Sequence, residues 1–340
     1  MKTDAWWFEN RQDVSEVLQP SVFVPKTCFG VYAELDKITY PFTVKITAEA
    51  DGKTLYCGEF TISSPNEACK TYETVCRDST FTLRALAGDV HGLPDTIAVE
   101  TEMGGKLYTE TVKCEYARLY GKITDFDGKP FPAVVQMNRI GFDKDISIGV
   151  WSDKNGEYSA VVPKGCYNAF WIDDESYGKT SLESWCWHML IDGDERLDFK
   201  IGTGEVYSLA VWCNNGGGAT LFFWFRPMIL GKKSEYDIDI NGESGTVNVI
   251  CPELVPEDIK VTLNGRELKI LSLQKVDETA ENYVMPAYIL QTERPSGAVG
   301  KQTAVVEYNT AKRSAELGYT AQSQGRVQFY FKDSNCLTLM

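Results

Sequence analysis

The chain lacks most of what marks a nucleic-acid-binding, membrane-spanning or metal-dependent protein. Its 34 Lys and Arg stand against 48 Asp and Glu, a formal charge of −14 over 340 residues. A phosphate backbone needs a basic footprint and an anionic bilayer repels such a chain, so neither nucleic acid nor a membrane surface is an expected partner. The longest apolar run, Thr220 to Phe225 in TLFFWF, is far below the roughly 20 residues a spanning helix needs, so no membrane insertion is expected. The opening MKTDAWWFENRQDV carries charges and amides where a secretory signal has an apolar core. As it stands the sequence reads as cytoplasmic; it would be extracellular if a signal had been removed.

Histidine is nearly absent, with His91 and His188 far apart. The ten cysteines (Cys28, Cys57, Cys69, Cys76, Cys114, Cys166, Cys186, Cys213, Cys251 and Cys336) form no Cys-x-x-Cys pair and no tight cluster. No metal site and no cofactor are expected from this pattern. The spread suits reduced, buried thiols acting as small hydrophobes.

Helical periodicity is scarce too. What recurs is short alternating segments rich in Val, Ile, Thr, Tyr, Phe and Trp. Asp51-Gly52, Asp127-Gly128, Asn155-Gly156, Asn241-Gly242 and Asn264-Gly265 punctuate them as hairpin signals, because these residues tolerate positive φ. With 43% hydrophobic and 24% charged residues the composition is that of an ordinary globular protein of two or three domains. The expectation is an all-β chain of tandem β-sandwich domains, immunoglobulin-like and transthyretin-like.

Three units are expected. The first, 1–117, is an immunoglobulin-like sandwich whose residues 1–20, with Trp6, Trp7 and Phe8, form an arm across a neighbour. Its alternation is clearest at 42–60, where Phe42, Val44 and Ile46 share a face. The second, 118–232, holds six of the eight tryptophans. The third, 233–340, is a further immunoglobulin-like sandwich.

The segments LYGKITDFDGKPFPAVVQM (119–137) and WSDKNGEYSAVVPKGCYNAFWI (151–172) resemble the carboxypeptidase regulatory-like domain. The resemblance rests on Gly121, Asp125, Gly128 with Pro130, Ala133 with Val135, Gly156 with Tyr158, and Pro163, Gly165 and Tyr167. It implies a transthyretin-like sandwich used as an accessory module, and carries over no catalytic residue.

The aromatic strands that follow are the candidate site. Strand alternation in ESWCWHML sets Trp185, Trp187 and Met189 against Ser184, Cys186 and His188. In EVYSLAVWCNN it groups Val206, Ser208, Ala210 and Trp212; in TLFFWFRPM it sets Phe223 and Phe225 against Phe222, Trp224 and Arg226. A sandwich strand needs one apolar face, and these have aromatics on both. Either a neighbouring domain covers the second face, or Trp151, Trp171, Trp185, Trp187, Trp212 and Trp224 form an exposed platform. The platform's polar rim would be Asp173, Asp174, Glu175, Glu183, Asn214, Asn215 and Arg226. Indole faces lie flat on the C–H faces of sugars while acids and amides take the hydroxyls.

Other constellations point to structure. Asp192 with Asp194, Asp143 with Asp145 and Asp237 with Asp239 are acid pairs expected by chance among 48 acids. His188 shares a strand with Ser184 and Cys186 and cannot oppose them as a catalytic base. Gly216-Gly217-Gly218 precedes no helix, so it is no phosphate loop. The leading reading is therefore a non-catalytic binding or assembly protein with a carbohydrate or protein partner. The alternatives are a glycan-acting hydrolase, or an accessory subunit of one, and a purely structural or adhesive protein.

Overall fold

The computed structural model describes residues 1–9, 27–139, 148–214, 220–230, 234–240, 243–249, 251–280, 283–333 and 336–339. Asp143, Asp145, Asn215, Gly216-Gly217-Gly218 and Asn241-Gly242 lie outside these residues. The side chains of Asp237 and Asp239 do as well. Among the described residues the chain is all-β, built as stacked sandwiches, and the one α-helix is the single turn Ser314–Leu317.

The first sandwich faces two sheets against each other. One has the order Lys2–Glu9, Thr27–Glu34, Thr80–Leu86, Tyr72–Cys76, Asn66–Ala68; the other runs Lys53–Ile62, Phe42–Ala50, Thr96–Met103, Lys106–Lys113. Alternation in Phe42–Ala50 buries Phe42, Val44, Ile46 and Ala48 between them. Phe42, Val44 and Ile46 each contribute about 1.5–3 kcal/mol on leaving water. Asp51 and Gly52 take φ of 50° and 70°, which closes the Phe42–Ala50 hairpin as the Asp-Gly signal requires.

Of the expected N-terminal arm, Lys2–Glu9 is instead a strand; residues 10–20 lie outside the described residues. Lys2–Glu9 pairs antiparallel with Thr27–Glu34, so its backbone groups are satisfied by a ladder and its aromatic knot is interior. Alternate faces of this strand serve different cores. Ala5 and Trp7 pack in the first sandwich, while Trp6 and Phe8, with Cys28, pack on the middle one. Gly30, the register partner of Trp6, makes room for it: a Cβ there would stand 2.4 Å from the indole.

The middle sandwich sets Tyr116–Thr124, between Glu157–Pro163 and the short strands Glu195–Arg196 and Phe199–Lys200, against Val134–Asn138, Gly165–Asp173 and Ser184–Ile191. The motif residues do local work here. Asp125 Oδ1 accepts the amides of Asp127 and Lys129, and Asp153 Oδ1 accepts those of Asn155 and Glu157, so both turns are held by a carboxylate. A Cβ on Gly121 would overlap the Leu197 carbonyl. The buried hydroxyl of Tyr158 donates to that carbonyl at 2.7 Å, and Tyr167 donates to the Pro163 carbonyl at 2.6 Å, fixing the corner four residues upstream.

The sheet does not stop at the edge of the middle sandwich. Ser184–Ile191 pairs in parallel with Gln322–Asp333, and the sheet continues through Gly300–Asn309 and Ile259–Leu263. The parallel ladder runs only from Trp185 to Trp187, opposite Gly325 to Val327. Beyond it the side chain of Gln328 takes over. Its Oε1 accepts the Leu190 amide at 2.7 Å and its Nε2 donates to Glu195 at 2.9 Å. Lys301 closes the seam, donating to the Leu190 carbonyl, Asp192 and Glu195.

A further sheet, Gly204–Trp212, Thr220–Ile229, Tyr283–Glu293 and Ile270–Ala280 in that order, covers the C-terminal part of the long sheet. Between them lie Val206, Leu209, Val211, Phe223 and Phe225 with Val261, Leu290, Val306, Val327 and Phe329. Residues 204–229, expected with the middle unit, thus contribute their apolar face to the third core. Thr220–Ile229 pairs with Tyr283–Glu293 and so carries Gly204–Trp212 into that sheet.

The thiols divide by face. Cys28, Cys76, Cys186 and Cys251 are buried, but Cys57 and Cys166 are exposed because strand alternation points them outward, and Cys69 is exposed just past the end of Asn66–Ala68. Among the described residues no helix is long and apolar enough to cross a membrane.

Candidate functional site

Two strands, each with one left-handed residue, assemble the aromatic cluster. His188 and Ser208 are non-glycine residues with φ of 55° and 54°, in the left-handed region. At Ser208 the strand gains one position against Thr220–Ile229, whereas Ser184–Ile191 keeps its register with Gly165–Asp173; past each left-handed residue the following side chains change face. Met189 therefore enters the core with Cys186 instead of lying beside Trp185 and Trp187. In the other strand Val206 is followed inward by Leu209 and Val211, not by Ser208 and Ala210, and the register against Thr220–Ile229 shifts between Tyr207 and Ala210. The expected groupings hold up to the left-handed residue and invert beyond it. In Thr220–Ile229, which is regular, Phe223 and Phe225 point inward and Phe222, Trp224 and Arg226 outward, as alternation predicts.

Trp171, Trp185 and Trp187 form a stack. Trp171 and Trp185 have centroids 5.6 Å apart at 26°, and Trp185 and Trp187 are 4.8 Å apart at 8°. Tyr207 meets the edges of Trp185 and Trp187 at 90° and 88°. It gets there because Val206 sits against Gly325, where any Cβ would stand 2.5 Å from the Val206 side chain. Arg226 extends the row, 5.4 Å from the Tyr207 centroid and 5.3 Å from that of Trp224, with its charge paired to Glu278. Trp212 stacks on Phe222 at 5.4 Å and is 37% exposed.

Trp151 stands apart, 5% exposed at the end of the sheet's edge strand Ile148–Trp151. The rings also do not lie flat side by side. Trp185 has an indole against each face, so only the ends of the stack and its edges can meet a ligand.

Three carboxyl groups gather around this stack. Glu183 accepts the Trp185 indole N–H at 3.1 Å. Burial pushes its pKa up to about 7, with the Asp173 charge adding to the rise and the indole opposing it. Glu205, only 3% exposed, is pushed up to about 8 by burial and then by the charge of Glu183. Asp173 is raised to about 6 by burial, against the Gln136 amide that donates to it at 3.0 Å, with Asp174 adding a like charge. Tyr177 shares the same field and rises to about 12, first through burial. Asp174 accepts from Ser176 and Ser181, which makes it a turn-forming residue beside the site.

Asp173, Asp174, Glu183, Trp171, Trp185, Trp187, Trp224 and Arg226 are thus brought along one surface, with Trp212 further on. Sequence reasoning missed Glu205 and Tyr207. Glu205 begins EVYSLAVW, and its signal was an acid at the head of an apolar strand, a position that buries it.

The remaining candidates are structural. Asp192 pairs with Lys301 and Asp194 accepts the Arg118 amide at 2.7 Å. Ser184 donates to the Gln324 carbonyl, and burial pushes the Cys186 thiol up to about 11, far from a thiolate at neutral pH. Among the described residues no group of three His, Cys, Asp or Glu is arranged to hold a metal ion.

No family model matches the chain, and no curated protein matches it. Among solved structures, a DUF3823 family protein from Parabacteroides merdae overlaps 58% of this chain and 92% of its own, with 14% identity and a TM-score of 0.21. BcpA, the major pilin subunit of Bacillus cereus, overlaps 63% of this chain and 69% of its own, with 10% identity and a TM-score of 0.21. Overlays at that level carry no argument about function.

Proposed function

We propose that the chain is a non-catalytic, multi-domain β-sandwich protein that binds carbohydrate at the Trp171 end of the indole stack. The observation that carries this reading is the stack with its acids: Trp171, Trp185 and Trp187 in register, and Glu183 tied to the Trp185 indole. A sugar ring packs its C–H face on the terminal indole, while Asp173, Glu183 and Tyr177 exchange hydrogen bonds with its hydroxyls. Carboxyl groups raised toward neutrality serve both ways, accepting when ionised and donating when protonated. Trp212 with Phe222 offers a second, more exposed aromatic contact on the same flank.

The module that presents this surface is, in this reading, a carboxypeptidase regulatory-like unit between two immunoglobulin-like sandwiches. Its support is local: the Asp125 and Asp153 turns, Gly121 against the Leu197 carbonyl, and the Tyr167 corner all coincide with the motif residues.

A glycan-array screen of the purified protein, followed by tryptophan-fluorescence titration, tests the proposal. One glycan class should change the emission, and Trp171→Ala should abolish that change while Trp151→Phe leaves it intact. Silence across the array would overturn carbohydrate binding and leave the stack as structural packing in an adhesive or scaffold protein. The raised pair Glu183 and Glu205 favours one second reading, a glycan-acting hydrolase. Release of reducing ends from the bound glycan, lost in Glu183→Gln, would select it.

A further inference from the structure

A cleft of about 380 Å³ lies between the first and middle sandwiches, away from the indole stack. Its walls come from strand Lys2–Glu9, the 113–116 connection, Arg139, the Pro163–Gly165 corner and the end of strand Ser184–Ile191. Six charged residues line it: Asp4, Glu115 and Asp192 against Lys113, Arg139 and Lys164.

These charges do not cancel locally. Asp192 is engaged by Lys301 at 3.1 Å, and Glu115 stands 3.6 Å from Lys113. Among the described residues that leaves Asp4 against Arg139 and Lys164. The Arg139 side chain is only 10% exposed, and Asp4 lies 3.6 Å away, beyond hydrogen-bond reach. A guanidinium that deep in a protein is ordinarily met by a bidentate acceptor. Its position is fixed. Gly165, with φ of 140°, lies directly beneath it, and a Cβ there would stand 2.5 Å from Nη2. In a chain of net charge −14 a cleft whose unengaged charge is positive is a local reversal.

We propose that this cleft binds a small organic acid, its carboxylate clamped by the Arg139 guanidinium and its charge supported by Lys164. The volume admits a molecule larger than an inorganic anion, and half-buried Leu190 gives the cleft an apolar spot. Because the lining comes from both sandwiches, occupancy also stiffens their junction.

The test is isothermal titration of the intact protein with succinate and, separately, with inorganic phosphate. Saturable succinate binding with Kd of about 1 mM or tighter is expected. It should weaken about tenfold or more in Arg139→Gln and by less in Lys164→Gln, with Trp171→Ala without effect. Arg139→Lys, which keeps the charge and loses the fork, should fall between wild type and Arg139→Gln, and it carries the test if Arg139→Gln does not fold. No saturable binding of succinate, binding unchanged by the Arg139 variants, or binding of phosphate alone would each overturn the proposal. These outcomes are independent of the glycan screen, since the two sites share no residue.

Discussion

Trp6 and Trp7 are adjacent in the chain and lie in different cores, one against the middle sandwich and one inside the first. The strand that carries them is a shared wall. Its pleat sends alternate side chains to opposite faces, so two neighbouring indoles hold two sandwiches to one backbone. Trp7 stacks on Phe29 at 5.8 Å and donates to the Gly92 carbonyl, and Trp6 lies over Gly30.

Truncating either indole should therefore destabilise a different unit. Trp7→Ala is expected to cost about 3–5 kcal/mol in the first sandwich, and Trp6→Ala a comparable amount in the middle one. Denaturant unfolding followed by hydrogen exchange resolves which strands lose protection. Equal loss everywhere in both variants would contradict the shared-wall arrangement. Gly30→Ala should mimic Trp6→Ala in direction, because the added methyl displaces the indole.

The carboxyl cluster gives a pH dependence with a definite sign. Glu183 and Glu205 have folded-state pKa values raised to about 7 and about 8, above the ordinary value near 4.5 that the unfolded chain retains. Between these limits the native state holds more protons than the unfolded one, so stability falls as pH rises. Their stabilising protonation is complete below about pH 4.5 and is lost progressively through pH 7–8. Thermal melts should show Tm decreasing over that window, and Glu205→Gln should flatten the decrease. A melt curve insensitive to pH in both proteins would contradict the burial of these acids.

Ser208 holds its strand in a left-handed conformation that no β-branched residue adopts readily. Ser208→Val should cost about 1–3 kcal/mol, whereas Ser208→Gly should be neutral or slightly stabilising. Chemical denaturation of both variants checks the pair. The glycine variant should also keep the wild-type fluorescence, because the bulge keeps Tyr207 against Trp185 and Trp187.

At the seam between the middle sandwich and the C-terminal sheet, Gln328 stands where ladder hydrogen bonds end. Gln328→Leu removes the acceptor of the partly buried Leu190 amide and the donor to Glu195, and should cost about 1–3 kcal/mol. Exchange of the Leu190 amide reports it directly. Protection unchanged from wild type would mean that the side chain does not close the seam.

How much of this was legible in the chain depends on the range of the interaction. Alternation is local, so Phe42, Val44 and Ile46 and the inward Phe223 and Phe225 could be read directly. Turn chemistry is local too, and Asp51-Gly52 and Asn155-Gly156 form the tight turns their side chains and φ tolerance specify. A left-handed residue is different. Ser208 carries no mark of a left-handed backbone and His188 only a weak one, so what holds them there is pairing with distant strands. The left-handed residue inverts the face of everything after it in each strand, which is why alternation alone misplaces Met189 beside Trp185 and Trp187, and Ser208 and Ala210 beside Val206.

The sequence by itself determined an all-β chain, its strand faces where the pleat is regular, its turns, and the aromatic and acidic residues available for a site. The tertiary structure decided which strands share a sheet, that residues 204–229 pack with the C-terminal core, and that Glu205 is buried beside Glu183. It also decided that the indoles stack face to face instead of lying side by side. The reason is physical: pleat and turn are set within a few residues, whereas pairing, burial and carboxylate coupling depend on segments separated by tens to more than a hundred residues, as with Trp185 and Gly325.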